Sequence, residues 1–176
     1  MRFQSYITRV CDNSRVLTTI SPTTDVELMK TVQEPVWRTN WNSDYIQHSS
    51  ALLYTQKTES GELVGLAAYE ILPELITVNI LYMESEPGSG PEIVRESRTY
   101  RNIGRSFIAF GIKLSIDHGF NGDVTLSAKT PELAKHYEQD YGAIPLPGRS
   151  RMDVAPRYLI CDEIAQSIFE LYLEED

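Results

Sequence analysis

Arg101-Asn102-Ile103-Gly104-Arg105-Ser106 is the stretch on which the fold turns. It follows strand-like sequence and opens a helix-like run. The first turn of a helix carries N–H groups without an intrahelical partner and the positive end of the helix dipole, about +0.5 of an elementary charge. A phosphate binds readily at such a place. Gly104 lets an anion approach the backbone closely, and Ser106 is small and adds a hydroxyl donor. Arg101 and Arg105 supply guanidinium groups for phosphate oxygens.

Working outward, Ile103 to Gly119 reads as a helix with a broad apolar surface through Phe107, Ile108, Ile112, Leu114 and Ile116. Upstream, Ala51–Lys57, Leu63–Leu72 and Leu75–Met83 read as an antiparallel meander of strands, with a turn at 58–62. Glu84–Arg98 breaks that pattern with Pro87-Gly88-Ser89-Gly90-Pro91 and several charges, and is expected to be a mobile loop. Downstream, Asp123–Ala128 is a short strand. Thr130-Pro131-Glu132 then starts a helix with a Thr cap, a first-position Pro and an acid in the first turn, and Gly142 stops it. Ala143–Leu146 and Arg151–Val154 read as late strands. A final amphipathic helix carries Ile164, Ala165, Ile168, Phe169 and Tyr172, and its acidic end at 174–176 is expected to fray. At the other end, Phe3–Val10 is a first strand. Thr24-Asp25-Val26-Glu27 is a capping box opening a helix to about Gln33, and 35–48 is irregular, with Trp37 and Trp41 packed onto the body. This order predicts an α/β (α+β) fold over 1–176 as one domain, with a central mixed, mostly antiparallel sheet flanked by helices.

The totals fit a globular chain: 176 residues, 41% hydrophobic and 23% charged. The net charge of −9 comes without a basic run, which argues against nucleic acid as a partner and is compatible with a cationic acceptor. Cys11 and Cys161 fit no zinc or redox spacing, and His48, His118 and His136 have no metal-like spacing, so no metal is expected. No apolar run reaches the roughly 18 residues of a membrane span and no signal-peptide pattern opens the chain, so a cytoplasmic protein without membrane attachment is expected. No P-loop and no Gly-x-Ser-x-Gly elbow is present.

The loop resembles the first motif of the GNAT acetyltransferases, Arg/Gln-x-x-Gly-x-Gly/Ala, with Arg101 and Gly104 matching and Ser106 in place of the usual Gly or Ala. The stretch between Glu84 and Arg101 is longer than the family's common form. Ser127-Ala128-Lys129-Thr130 falls where that family splays two strands to admit the pantetheine arm. Leu133 to Ala143 resembles the family's Phe-Tyr-Glu-Lys-x-Gly-Phe helix end, with His136-Tyr137 on Phe-Tyr and one extra residue before Gly142. The likeness extends over roughly 50–155. It includes a bacterial branch with Tyr-x-x-x-Gly-Arg and His-Tyr-x-x-x-x-Gly-Ala segments and a downstream Arg-Met strand, which Arg151-Met152 matches.

The resemblance implies a GNAT fold and an acetyl-CoA-dependent N-acetyltransferase, in which the acceptor amine attacks the thioester directly. It implies that Arg101, Asn102, Ile103, Gly104, Arg105 and Ser106 hold the diphosphate. The backbone of Leu81, Tyr82 and Met83 would pair with the pantetheine amides, and Lys129 and Thr130 would lie beside that arm. Tyr137 would contact the cofactor and protonate the leaving thiolate, a phenol near pKa ~10 serving a thiol near ~8.5. An alkyl amine of pKa ~10.4 must lose a proton before it attacks, and Glu70 and Glu84 are the candidate bases. The acceptor is expected to be a small-molecule or peptide amine, and many relatives are homodimers. Two alternatives stay open: a non-catalytic CoA-binding or protein-interaction module of the same fold, and a toxin that acetylates aminoacyl-tRNA.

Overall fold

The computed structural model describes residues 1–148 and 155–174. Its elements in chain order are β1 (Arg2–Phe3), β2 (Tyr6–Arg9), β3 (Arg15–Pro22), α1 (Asp25–Lys30), α2 (Asp44–Gln47), β4 (Leu52–Thr58), β5 (Leu63–Leu72), β6 (Thr77–Ser85), β7 (Tyr100–Arg101), α3 (Ile103–Asp117), β8 (Val124–Ser127), α4 (Pro131–Tyr141), β9 (Ile144–Pro145), β10 (Arg157–Ile160), α5 (Asp162–Glu170) and β11 (Leu173–Glu174). One sheet runs in the order β7-β2-β3-β4-β5-β6-β8-β10-β9, and β1 pairs with β11 in a separate ribbon. Every pairing is antiparallel except β6 with β8.

Each face of the sheet has its own cover. On one side, α3 packs through Phe107, Ile108 and Ile112 onto Val64, Tyr69, Val78 and Ile80, with α4 and α5 completing the layer. The helix is apolar around most of its girth because α5 covers the side that the sheet does not. Contact is close: a Cβ on Gly65 would lie 2.6 Å from the Phe107 ring. On the other side, Leu28, Trp37, Trp41 and Ile46 pack onto Leu66 and Ala68. The capping box at Thr24 and Glu27 forms as the sequence predicts, and Gly142 ends α4 in the left-handed region at φ 63°.

Three expectations change, and a fourth falls outside the described residues. The first strand is broken at Gln4–Ser5 into β1 and β2, and a further strand, β3, follows at Arg15–Pro22. The segment expected to be mobile, 84–98, is held in place. Glu86 accepts hydrogen bonds from Gly88 N (2.6 Å) and from Ser89 Oγ, while Tyr100 N–H donates to Ser89 Oγ (2.9 Å). The acidic end does not fray at 173–174, because β11 pairs with β1 and Glu174 meets Arg15 at 2.7 Å. A late strand stands at 157–160, whereas the expected strand at 151–154, with Arg151-Met152, lies outside the described residues.

Candidate active site

The site begins where a strand pair comes apart. β6 and β8 pair in parallel at Val78–Val124, Asn79–Thr125 and Ile80–Leu126, and no further. At that level β6 also shifts its register against β5: Tyr69 faces Ile80 and Ala68 faces Tyr82, so Leu81 is the extra residue of a bulge. A bulge bends its strand and interrupts the ladder, which is how β6 leaves β8 here. Leu81, Tyr82 and Met83 therefore keep β5 on one side and, among the described residues, have no partner strand on the other. Pairing of an extended amide chain with that free side is what an unpaired strand edge offers.

The start of α3 lies over the end of β6. Gly65 pairs with Ser85 and packs under Ile103 and Phe107. The first intrahelical bond comes from Ser106 N to Asn102 O (3.0 Å), which leaves the N–H groups of Ile103, Gly104 and Arg105 without helical partners. Asn102 reaches the helix through a left-handed turn (φ 69°) and donates from Nδ2 to Thr8 Oγ1 (3.1 Å). Gly104 is not required by the fold. Its φ is ordinary, and an added Cβ would meet nothing nearer than Tyr141 Oη at 4.0 Å. The space in front of this backbone is open to an outside group, so the helix start fits a diphosphate.

Three residues of the loop are placed differently from the expectation. Ser106 is fully buried, and its hydroxyl lies 3.1 Å from Ser5 Oγ and accepts from Gln56 Nε2 at 2.9 Å. It cannot serve a phosphate, because it points to the sheet, where Ser5, Thr18, Gln56 and Ser106 form one buried polar cluster. Ile103 is buried in the core and offers only its backbone. Arg101 is exposed and donates to Asn13 Oδ1 in the β2–β3 turn, away from the gap between β6 and β8. Arg105 lies with its guanidinium carbon 5.9 Å from the Tyr141 ring centroid, beside Gly104.

Glu84 is also corrected. Expected as a base, it is buried and accepts from Arg38 N (2.7 Å), Thr39 N (3.1 Å) and Trp41 Nε1 (2.8 Å). Both oxygens are used to anchor the 38–41 segment, leaving no lone pair aimed at an amine. Glu84→Ala should therefore cost about 2–4 kcal/mol of stability, since three donors lose their acceptor, one of them, Trp41 Nε1, in the buried core. Urea unfolding would measure it, and an unchanged unfolding free energy would refute the anchoring role.

Glu70 keeps the geometry of a candidate. One of its oxygens accepts from Asn79 Nδ2 (2.8 Å), whose Oδ1 accepts from Thr125 Oγ1 (3.1 Å). This polar line crosses the sheet face away from α3, near Tyr82. Lys129, just past β8, places Nζ 3.6 Å from the Tyr82 ring centroid. Burial lowers its pKa. Thr130 is used as the α4 cap, accepting from Leu133 N (3.2 Å).

Tyr137 approaches from the α3 side of the sheet. Its ring is edge-on to Tyr158 at 6.0 Å, and Tyr158 pairs with Leu126, the last residue before the gap. Burial, and then the neighbouring Tyr141, push its pKa up to about 12. The Tyr137 hydroxyl makes no hydrogen bond among the described residues, and the sealed unpaired polar atoms among them are Gln56 Oε1 and Tyr172 Oη instead. The hydroxyl is thus a donor left without a protein acceptor, on a residue that is otherwise buried. The gap, Leu81–Met83 and Lys129 come together, and Tyr137 stands beside Tyr158 on the α3 side of the sheet, whereas Arg101, Ser106 and Glu84 are turned elsewhere. A hollow of about 540 Å³ lined by Arg9, Arg15, Glu62 and Tyr100 lies by the β2–β3 hairpin and includes none of the gap residues. Among the described residues, no cluster of His, Cys, Asp and Glu could hold a metal, and no helix is long and apolar enough to cross a membrane.

This arrangement is the GNAT fold. The chain superposes on a GNAT-family acetyltransferase from Listeria monocytogenes with a TM-score of 0.55 at 12% identity, over 82% of this chain and 94% of that one. It superposes on a chimeric SpeG spermidine N-acetyltransferase from Vibrio cholerae with a TM-score of 0.55 at 11% identity, over 86% and 98% of the two chains. It is also similar to a Bacillus subtilis acetyltransferase in complex with CoA, with a TM-score of 0.50 at 14% identity, over 81% and 95%. No family model and no curated protein matches the sequence. At these identities the likeness defines the fold, and the chemistry rests on the residues above.

Proposed function

We propose that the chain is an acetyl-CoA-dependent N-acetyltransferase acting on an amine of a small molecule or peptide. The observation that carries this reading is the gap between β6 and β8, with Leu81–Met83 on one wall, and the open backbone of Gly104 at the α3 start; the Tyr137 hydroxyl, without a protein partner among the described residues, supports it from α4, the helix that follows β8. The thioester arm enters the gap and pairs with β6. The diphosphate lies on the N–H groups of Ile103, Gly104 and Arg105, and Arg105 supplies its charge. The acceptor comes from the Tyr82 and Glu70 face, gives its proton to Glu70 or to water held there, and attacks the carbonyl directly. Tyr137 donates a hydrogen bond to the departing sulfur. Positioning supplies much of the rate in a reaction of this kind.

An acidic chain of net charge −9 suits a cationic acceptor, and the Vibrio cholerae neighbours are spermidine N-acetyltransferases, so polyamines head the acceptors to be tried. Saturating acetyl-CoA is expected to raise the melting temperature, and thiol release should appear with one class of amine among polyamines, amino acids, aminoglycosides and peptide N-termini. Binding without thiol release across that panel would leave the non-catalytic module as the reading, and the absence of any thermal shift would remove both.

A further inference from the structure

Lys129 stands at the mouth of the gap with its charge on an aromatic ring and no carboxylate within ion-pair distance among the described residues. Lys57 and Lys113, by contrast, are held by Glu27 and Asp117, each at 2.5 Å. Lys129 lies two residues beyond the end of β8, and its Nζ reaches across to Tyr82, past the last pair Ile80–Leu126. The amine therefore spans the opening in which the thioester is placed above. The Tyr82 ring holds it there without the proton-retaining partner that a carboxylate would be.

We propose that Lys129 is a built-in acceptor, acetylated by the acetyl-CoA bound in its own gap. This rests on the reading of the gap as the thioester site. The ammonium first loses a proton to water. Nζ then attacks the thioester carbonyl, the new C–N bond forms as the C–S bond breaks, the nitrogen gives up its second proton to water to become the amide, and CoA leaves as a thiolate that takes a proton from solvent. Burial around Lys129 enlarges the neutral fraction that can attack. The acetylated side chain has no charge to hold it on Tyr82, so the modification opens that ring face.

The test is a time course of the full chain with acetyl-CoA, read by peptide mass spectrometry at each of its five lysines. Lys129 is expected to be acetylated at least ~10-fold faster than Lys30, Lys57, Lys113 and Lys135, because only it is held beside the bound thioester. The rate per molecule should not depend on protein concentration, and excess CoA should suppress Lys129 alone. Lys129→Arg, which keeps a cation for the ring, should remove the fast phase from the whole-protein mass. Acetylation of Lys129 no faster than the other lysines, while acetyl-CoA still raises the melting temperature, overturns the inference and leaves the proposed function standing. The absence of both a thermal shift and selective acetylation overturns the two together.

Discussion

Gly104→Glu is expected to weaken acetyl-CoA binding about a hundredfold, near 3 kcal/mol, while leaving the protein folded. The fold has no need of glycine here: φ lies outside the left-handed region and an added Cβ has 4.0 Å to its nearest neighbour. A carboxylate in the first turn of a helix also favours the helix, by about 0.3–1 kcal/mol. The same carboxylate projects into the space assigned to the diphosphate and adds like charge where the free N–H groups should meet an anion. Gly104→Ala separates bulk from charge and should lose less, about tenfold or under. Calorimetric titration with CoA and urea unfolding supply the two readouts. A Gly104→Glu protein that is as stable as the parent and binds CoA equally well would place the diphosphate elsewhere.

How much of this could be read from the chain depends on the range of each interaction. The capping box at Thr24, the stop at Gly142 and the apolar run of α3 are encoded within a few residues, and all appear where the sequence puts them. The meander does as well, shifted by a residue or two. The errors come from partners distant in sequence. Ser106 looked like a phosphate donor because only its neighbours in the loop were visible, but its partners are Ser5 and Gln56. Glu84 reads as a candidate base until its donors from 38–41 are known. The acidic terminus reads as fraying until Arg2–Phe3 is known to pair with it. β3 is different: Val16, Thr18, Thr19 and Ile20 are β-branched residues in one run, a local signal of a strand that could have been read. The bulge at Leu81 carries no signature in side chains, since it is a matter of register between backbones.

The larger kinetic effect is expected from Tyr137→Phe: kcat about a hundredfold lower, with CoA affinity unchanged. The substitution removes one oxygen that has no protein partner among the described residues, so stability near neutral pH should hold. The elevated pKa refines the role. A phenol at about 12 does not readily surrender its proton to a thiolate whose acid lies near ~8.5, although the burial that raises the one raises the other. Tyr137 then works mainly as a fixed hydrogen-bond donor to sulfur as charge develops on it, and it stays protonated through the usual assay range. The kcat profile of the parent should accordingly show no alkaline fall from this group below pH 10. Stability gives an independent check. The folded pKa stands above the ordinary ~10, so the tyrosine's contribution is intact below pH ~10 and is lost as pH climbs towards 12. The phenylalanine variant lacks that loss and should gain about 2 kcal/mol relative to the parent between pH 10 and 12. A variant that resists alkali in this way but turns over at the parental rate would show a buried tyrosine with no part in the chemistry, and would move the search for a donor to water in the gap.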